Sequence, residues 1–289
     1  MSPLPSWRGE LVHGLAGRGD VRWAVADLAG PVEEARVRHD LSPVAAAALG
    51  RAMAGAALLM FLSTKAWERL VLEVRGDGPL GRVVAEIDGA GNLRGLVGNP
   101  HVETGEDERL GLAAAIGRGL LRVRRESPRW GSFESQVELV TGEIGLDLAH
   151  YLEQSEQTRS AVLLGVLARP GGIAAAGGML VELMPDAREE AIAPLERNLA
   201  TLEGVSRRLE RGGLPALAEA VLAGLDRDDL GRQELRFACR CNRQELLGKL
   251  RLLPPADRAE LLAAAGEMEA ECAFCGQRYR YAAAELATG

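Results

Sequence analysis

The chain has 289 residues, 47% of them apolar and 26% charged, with a formal net charge of −7 and a pI near 5.4. That is enough chain for two domains and a sizeable core, and the acidic balance argues against a general binder of nucleic acid or anionic membranes. Met1 to Asp20 carries no basic stretch followed by an apolar one, so no secretory signal is read there and the expected compartment is the cytoplasm.

Along the chain, Leu11 to Gly14 and Val21 to Leu28 are expected as short strands with glycine-rich turns between them, and Val32 to Arg38 as a short helix. Val44 to Leu62 is almost uninterrupted apolar and imitates a membrane span. It is mostly Ala and Gly, however, and Arg51 near its centre would cost about 2.5–3.5 kcal/mol in a bilayer. Ser42 and Pro43 read as an N-cap and first helical residue, so a buried helix with close-packing small residues is expected instead. Leu70, Leu72 and Val74 alternate along one face, Gly76 to Gly81 reverses the chain, and Arg82 to Ile87 and Leu93 to Val97 continue an antiparallel meander. Leu120 to Arg124 and Phe133 to Val140 are further strands. Ile144, Leu148, Tyr151 and Leu152 fall on one helical stripe that ends at Gln157. Ala161 to Ala168 and Met179 to Met184 are strands flanking a loop at Gly171 to Gly178, closing a mixed α+β domain over residues 1–185.

Catalytic motifs do not emerge from this domain. Gly76, Gly78 and Gly81 satisfy G-x-G-x-x-G, but a dinucleotide fingerprint must open a helix, and here a strand follows with Pro79 inside the loop. His13, His39, His101 and His150 are scattered, and Glu153, Ser155 and Glu156 are explained by a solvated helix end. The expectation is that the protein is not an enzyme.

From Asp186 the composition changes. Aromatic residues vanish, and Ile192, Leu195, Leu199, Leu202, Val205 and Leu209 recur in steps of three and four, defining one helix face. Gly212 and Gly213 break it, and Leu214, Leu217, Val221, Leu222 and Leu225 begin a second stripe. At rest this is a pair of amphipathic helices packed on the sheet domain, a helical linker over residues 186–230. Undocked, the first stripe would offer adhesive apolar surface and is the candidate client-binding site.

The last segment, residues 231–289, holds all four cysteines in two pairs, Cys239-Arg240-Cys241 and Cys272-Ala273-Phe274-Cys275. Residues i and i+2 of an extended segment share a face, and the C-x-x-C knuckle, followed by Gly276, converges its two sulfurs in a turn. Together they form the four-thiolate set preferred by structural zinc. Permanent disulfides would need an oxidising compartment, and buried free thiols fit poorly beside Arg240, Asn242 and Gln277. Helices are expected from Gln244 to Leu252 and from Asp257 to Ala265, with Tyr279 and Tyr281 in a strand. Nine Lys/Arg against eight Asp/Glu leave the module nearly neutral, without the basic face of a nucleic-acid-gripping zinc ribbon. A module of about sixty residues has little core, so the metal carries much of its stability. Oxidation of one thiolate, trapped by its neighbour as a disulfide, removes two ligands at once. Three readings compete: a redox-gated holdase, a zinc-ribbon nucleic-acid binder, and a thiol oxidoreductase, the last lacking the βαβ context of the thioredoxin kind.

These residues resemble a known family, the bacterial redox-regulated heat-shock holdases called heat-shock protein thirty-three. The likeness extends beyond the cysteines to His39-Asp40-Leu41-Ser42-Pro43, Ala48 to Arg51, Gly76 to Leu80, Arg94-Gly95, Asn99-Pro100, Tyr151 to Gln157 and Gly177 to Pro185. It implies an N-terminal α+β domain, a helical linker and a C-terminal zinc switch. It further implies an ATP-independent chaperone for unfolded or oxidatively damaged clients, quiescent when reduced and loaded with one Zn2+ per chain. Activation would follow disulfides linking Cys239 to Cys241 and Cys272 to Cys275, with homodimers forming on activation. The family's usual Ser and Glu after the first pair are here Asn242 and Gln244.

Overall fold

The computed structural model describes residues 7–63, 67–102, 111–263 and 267–287. In chain order the elements are β1 (Arg8–Ala16), β2 (Val21–Asp27), α1 (Ala29–His39), α2 (Pro43–Leu62), β3 (Arg69–Gly76), β4 (Arg82–Asp88), β5 (Asn92–Val97), α3 (Leu112–Ile116), β6 (Gly119–Ser127), β7 (Gly131–Glu138), α4 (Ile144–Glu156), β8 (Ser160–Arg169) and β9 (Gly172–Leu183). There follow α5 (Glu189–Ala200), α6 (Val205–Val221), β10 (Arg227–Phe237), α7 (Arg243–Arg251), α8 (Pro255–Ala263), β11 (Glu267–Glu271), β12 (Arg278–Ala282) and α9 (Ala283–Ala287). The chain divides into two compact units between Phe237 and Ala238.

The first unit is α+β, as expected. Its ten strands form one sheet in the order β7-β6-β3-β4-β5-β10-β1-β2-β9-β8. Every pairing is antiparallel except the short one of β10 with β5, where Arg236 lies opposite Asn92 and Phe237 opposite Leu93. The sheet curls around α2, which packs on strands from both halves. That helix starts where the sequence places it: Ser42 Oγ accepts the Ala45 N–H at 3.4 Å, and Pro43 gives up no needed hydrogen bond at the first position. Small residues let neighbours approach closely, and a Cβ on Gly55 would stand 2.5 Å from Leu148 Cδ1. The helix is long and apolar enough to cross a membrane, but most of it is buried in the fold. Arg51 reaches Glu143 at 2.8 Å.

The Gly76–Gly81 turn joins two strands, β3 and β4. A Cβ at Gly76 would lie 1.8 Å from the Ile116 carbonyl oxygen and one at Gly78 2.5 Å from that of Ala115. Those glycines admit the backbone of α3, and no helix opens after them.

The structure departs from the sequence reading in three places. The Gly171 to Gly178 loop is instead mostly strand, since β9 begins at Gly172 and pairs with both β2 and β8. The first apolar stripe spans two helices, α5 and α6, separated at Thr201–Gly204, where Gly204 takes a left-handed φ of 59°. The break expected at Gly212–Gly213 is present as a kink, with Gly213 at φ 60° and ψ −154°. Residues 227–237 form β10, which fills the sheet between β1 and β5, so position 231 lies inside a strand of the first unit.

Both helices lie on the sheet. Leu195, Leu209, Leu214, Leu217, Val221 and Leu222 are buried in one cluster with Val12, Trp23, Val25, Met179 and Val181, and Leu199, Leu202 and Val205 are half-buried against it. Ile192 is half-buried and borders a shallow groove with Leu183 and Leu195.

The second unit is small. Strands β11 and β12 form a two-stranded antiparallel ribbon. Helix α8 begins at Pro255 and is described to Ala263; the last two positions of the helix expected to reach Ala265 lie outside the described residues. Met268, Tyr281 and Leu286 form its buried apolar cluster, with Leu246, Leu247, Leu250, Leu262 and Tyr279 half-buried around them.

Candidate metal centre

Two local structures aim the four cysteines. Cys239 and Cys241 lie on the short connecting segment between β10 and α7. Asn242 then caps α7, its side-chain oxygen accepting the Glu245 N–H at 2.8 Å, and so ends that segment immediately after the second sulfur. The other pair sits on the turn from β11 to β12. There Cys272 O accepts N–H groups from Cys275 at 3.2 Å and Gly276 at 2.8 Å, while Cys272 N–H donates to Gln277 O at 2.9 Å. Gly276 holds φ at 68°, a left-handed conformation open to glycine at little cost.

The four sulfurs converge. Cys239 Sγ lies 3.7 Å from Cys272 Sγ, Cys241 Sγ lies 3.4 Å from Cys275 Sγ, and all four fall within 4.8 Å of one another. A tetrahedron with metal–sulfur bonds of about 2.3 Å has edges of about 3.8 Å. The spacing therefore matches one ion at the centre of the four sulfurs, and the soft thiolate set suits zinc. Cys272 and Cys275 are buried, at 8% and 5% exposure, whereas Cys239 and Cys241 are half-buried. Burial, reinforced by the Cys241 and Cys239 sulfurs alongside, pushes the Cys272 and Cys275 thiols up. A divalent cation reverses that preference, because a coordinating thiol is deprotonated by the ion's own charge. Among the described residues no histidine or carboxylate joins the group.

The supporting residues carry less obvious sequence signals. Tyr279 OH lies 3.4 Å from Cys241 Sγ, and this contact, ahead of burial, pushes its hydroxyl up to about 12. Tyr281, fully buried, donates to Arg243 O at 2.9 Å. Arg243 lies over the Tyr281 ring at 4.6 Å and binds Glu285 at 2.8 Å, and that hydrogen bond above all draws the Glu285 carboxyl down to about 2. The alternation of Tyr279 and Tyr281 was visible as a strand signal. That both rings lie on the core face, with Tyr279 also reaching a sulfur, follows from the register of β12. Asn242 supplies the capping oxygen that a serine would supply, so the departure at this position leaves the local geometry with the same hydrogen bond.

The candidate client-binding residues are elsewhere. Ile192, Leu195, Leu199, Val205 and Leu209 belong to the first unit, in helices α5 and α6, and Leu202 to the break between them.

Comparison with known proteins agrees with this architecture. The family model described as Hsp33 protein matches residues 9–282. The chain is 46% identical over 291 residues to the 33 kDa chaperonin of Thermus thermophilus, covering 96% of this chain and 85% of that one. It is 42% identical over 280 residues to the 33 kDa chaperonin of Symbiobacterium thermophilum, covering 96% and 95%. The crystal structure of the 33 kDa chaperonin of Thermotoga maritima matches with a TM-score of 0.87 at 34% identity, over 96% of each chain. With its curled sheet, docked helices and four convergent cysteines, the chain belongs to the Hsp33 family.

Proposed function

We propose that this chain is a redox-gated, ATP-independent holdase: quiescent while Cys239, Cys241, Cys272 and Cys275 hold one zinc ion, and active once those thiols are oxidised. Bound zinc ties the two cysteine pairs together and keeps the four sulfurs as thiolates. The observation that carries the reading is the convergence of four sulfurs in a unit whose buried apolar cluster, among the described residues, holds Met268, Tyr281 and Leu286. Such a unit has little else to hold its fold.

The switching chemistry belongs to the sulfurs. With a peroxide as oxidant, one thiolate attacks an oxygen and breaks the O–O bond, becoming a sulfenic acid while the other oxygen leaves as hydroxide. A second thiolate attacks that sulfur and expels the remaining oxygen as hydroxide, forming S–S. Two electrons pass to the peroxide, which ends, after protonation, as two waters. The pairing we propose is Cys239 with Cys241 and Cys272 with Cys275. Each disulfide removes two ligands, and the second unit loses the ligand set on which its fold depends.

Chain continuity supplies the coupling. Strand β10 follows α6 and ends two residues before Cys239, so loss of the tail's fold frees the far end of the segment that follows the docked helices. On this reading residues 1–185 are the client platform, the helices within residues 186–230 its cover, and the part of residues 231–289 beyond β10, from Ala238 on, the switch. Release of α5 and α6 exposes their stripe, from Ile192 to Leu209, and the sheet surface beneath it to unfolded clients. Homodimers form in the activated state, the protein works in the cytoplasm, and it catalyses no reaction on its clients.

The test is to treat the reduced, zinc-loaded chain with peroxide at mildly elevated temperature, following zinc release with a colorimetric chelator and client aggregation by light scattering. The reading requires zinc release and suppressed aggregation together, without ATP. Retained zinc under oxidant, with salt-dependent DNA binding by the reduced chain, would instead favour a zinc-ribbon nucleic-acid binder.

A further inference from the structure

The ten-stranded sheet has two edges, and the chain treats them differently. At one, β8 is bulged between Leu167 and Ala168, and its last residue, Arg169, is bound to Glu210 of α6 at 2.7 Å. A bulge of this kind is one of the devices by which sheets blunt an edge. At the other, β7 runs from Gly131 to Glu138 in unbroken register with β6, and it contains no proline and no lysine. Most of its residues are exposed, and among the described residues no strand lies beyond it.

The backbone groups that β7 offers follow from its ladder with β6. Leu139 donates its N–H to Gly119 O at 2.8 Å. Antiparallel pairs alternate, so the odd-numbered residues of β7 turn their N–H and C=O groups toward β6, and Ser132, Glu134, Gln136 and Glu138 turn theirs outward. For a second copy of β7 related by a two-fold axis, the axis must pass through a residue near the middle of the strand to leave most of it paired. With the axis at Glu134, Glu134 faces its own copy; with the axis at Gln136, Glu134 faces Glu138 on both sides. Like charges directly opposite are destabilising. With the axis at Ser135, Glu134 faces Gln136, Ser132 faces Glu138 and Phe133 faces Val137. The same register carries Trp130 of one copy to Val140 of the other, since the two are equally far from Ser135. Val140 and Phe133 are exposed, and Trp130 is 43% exposed even with Arg129 over its ring at 4.6 Å. Charge thus selects the register that also joins the apolar ends.

We infer that the reduced, zinc-loaded chain forms a two-fold dimer joined edge to edge through β7, with Ser135 on the axis. Such a contact is isologous and uses up both open edges, and with β8 blunted the sheet stops at two copies. Neither oxidation nor release of α5 and α6 enters into it, so this interface is separate from the dimer proposed above for the activated state and does not rest on the redox reading.

Sedimentation velocity of the full-length, reduced, zinc-loaded chain over a concentration series should show monomer converting to dimer, and amide exchange over Gly131–Glu138 should slow as the dimer fills. Gln136→Pro deletes an outward N–H but no bond to β6, and should leave monomer across the series. Gln136→Glu sets two Glu–Glu pairs across the axis and should weaken the dimer. Gln136→Lys sets two Lys–Glu pairs there and should tighten it, the change being about twofold to thirtyfold in either direction. Both charge variants should melt with the parent's transition, so that a shift in dimerisation is not a loss of fold. A parent chain that stays monomeric throughout, or a dimer indifferent to Gln136→Pro, overturns the interface. Weakening by Gln136→Lys overturns the register, because the lysines would then face each other. A monomeric chain whose β7 exchange slows only when an unfolded client is added would make the occupant a client strand and overturn the dimer.

Discussion

The two units of this chain are held together by different means. The first buries Leu11, Trp23, Leu28, Leu49, Met53 and Leu58 completely, around a twenty-residue helix enclosed by a ten-stranded sheet. The second buries Met268, Tyr281 and Leu286, leaves Leu252 85% exposed, and brings four sulfurs to one point. At about 25 cal/mol per Å² of apolar surface removed from water, burial contributes far more to the first unit than to the second. A fold that rests on sulfur ligation is open to oxidants in a way that a fold resting on leucine is not. The contrast supports the proposal of a switch in the tail and a stable platform in the body.

The largest effect should come from the metal ligands. Structural zinc supplies about 10–16 kcal/mol of apparent binding energy in small modules, as much as the whole stability of a typical domain, about 5–15 kcal/mol. Cys275→Ser should therefore unfold residues 238–289 at neutral pH and open them to limited proteolysis, while the first unit keeps its own thermal transition. A tail that stays protected in this variant would break the contrast.

Next in size is the small core. Tyr281→Ala removes its largest fully buried side chain and should cost about 3–5 kcal/mol. On the proposed coupling of metal binding to folding, the loss should appear in a competitive chelator titration as a zinc affinity lower by a hundredfold or more. Tyr281→Phe keeps the ring, gives up the bond to Arg243 O, and should cost only about 1 kcal/mol.

The cover on the sheet comes third. Leu195→Ala cuts into the interface between the helices and the sheet at a cost of about 2–5 kcal/mol. It should raise apolar-dye binding in the reduced chain and lower the oxidant dose needed for activation. Leu252→Ala, at an exposed position, should change neither. The smallest effect is at the α7 cap: Asn242→Ala should destabilise the second unit by about 1 kcal/mol, and Asn242→Ser should leave it nearly unchanged.

Much of this was legible in the sequence because the signals were local. Paired cysteine spacing foretold a tetrathiolate cluster, Ser42-Pro43 foretold the start of α2, and alternation located most strands. The rest depended on tertiary partners. β10 reads as a charged connection, Arg227 to Phe237, because side chains along most of it reach water while its backbone closes the gap between β1 and β5. The glycines before Met179 read as loop because glycine is poor in strands, yet a Cβ at Gly178 would stand 2.1 Å from the Leu163 carbonyl oxygen of the neighbouring strand. The stripe from Ile192 to Leu209 keeps helical spacing across Thr201–Gly204, so periodicity passes over a break that the backbone makes. At the candidate metal centre the four cysteines were evident, but Tyr279 beside Cys241 and Arg243 over Tyr281 arise from the register of β12 against the start of α7, which spacing alone does not encode.

The most direct measurement is amide hydrogen exchange of residues 238–289, taken on the reduced, zinc-loaded chain and on the peroxide-oxidised, zinc-free chain under the same conditions. The account predicts slow exchange along β11 and β12 in the first state and exchange at unfolded-chain rates in the second, with α2 protected in both. Equal protection of β11 and β12 in the two states would mean that the tail keeps its fold without the metal, and the proposed switch would not exist.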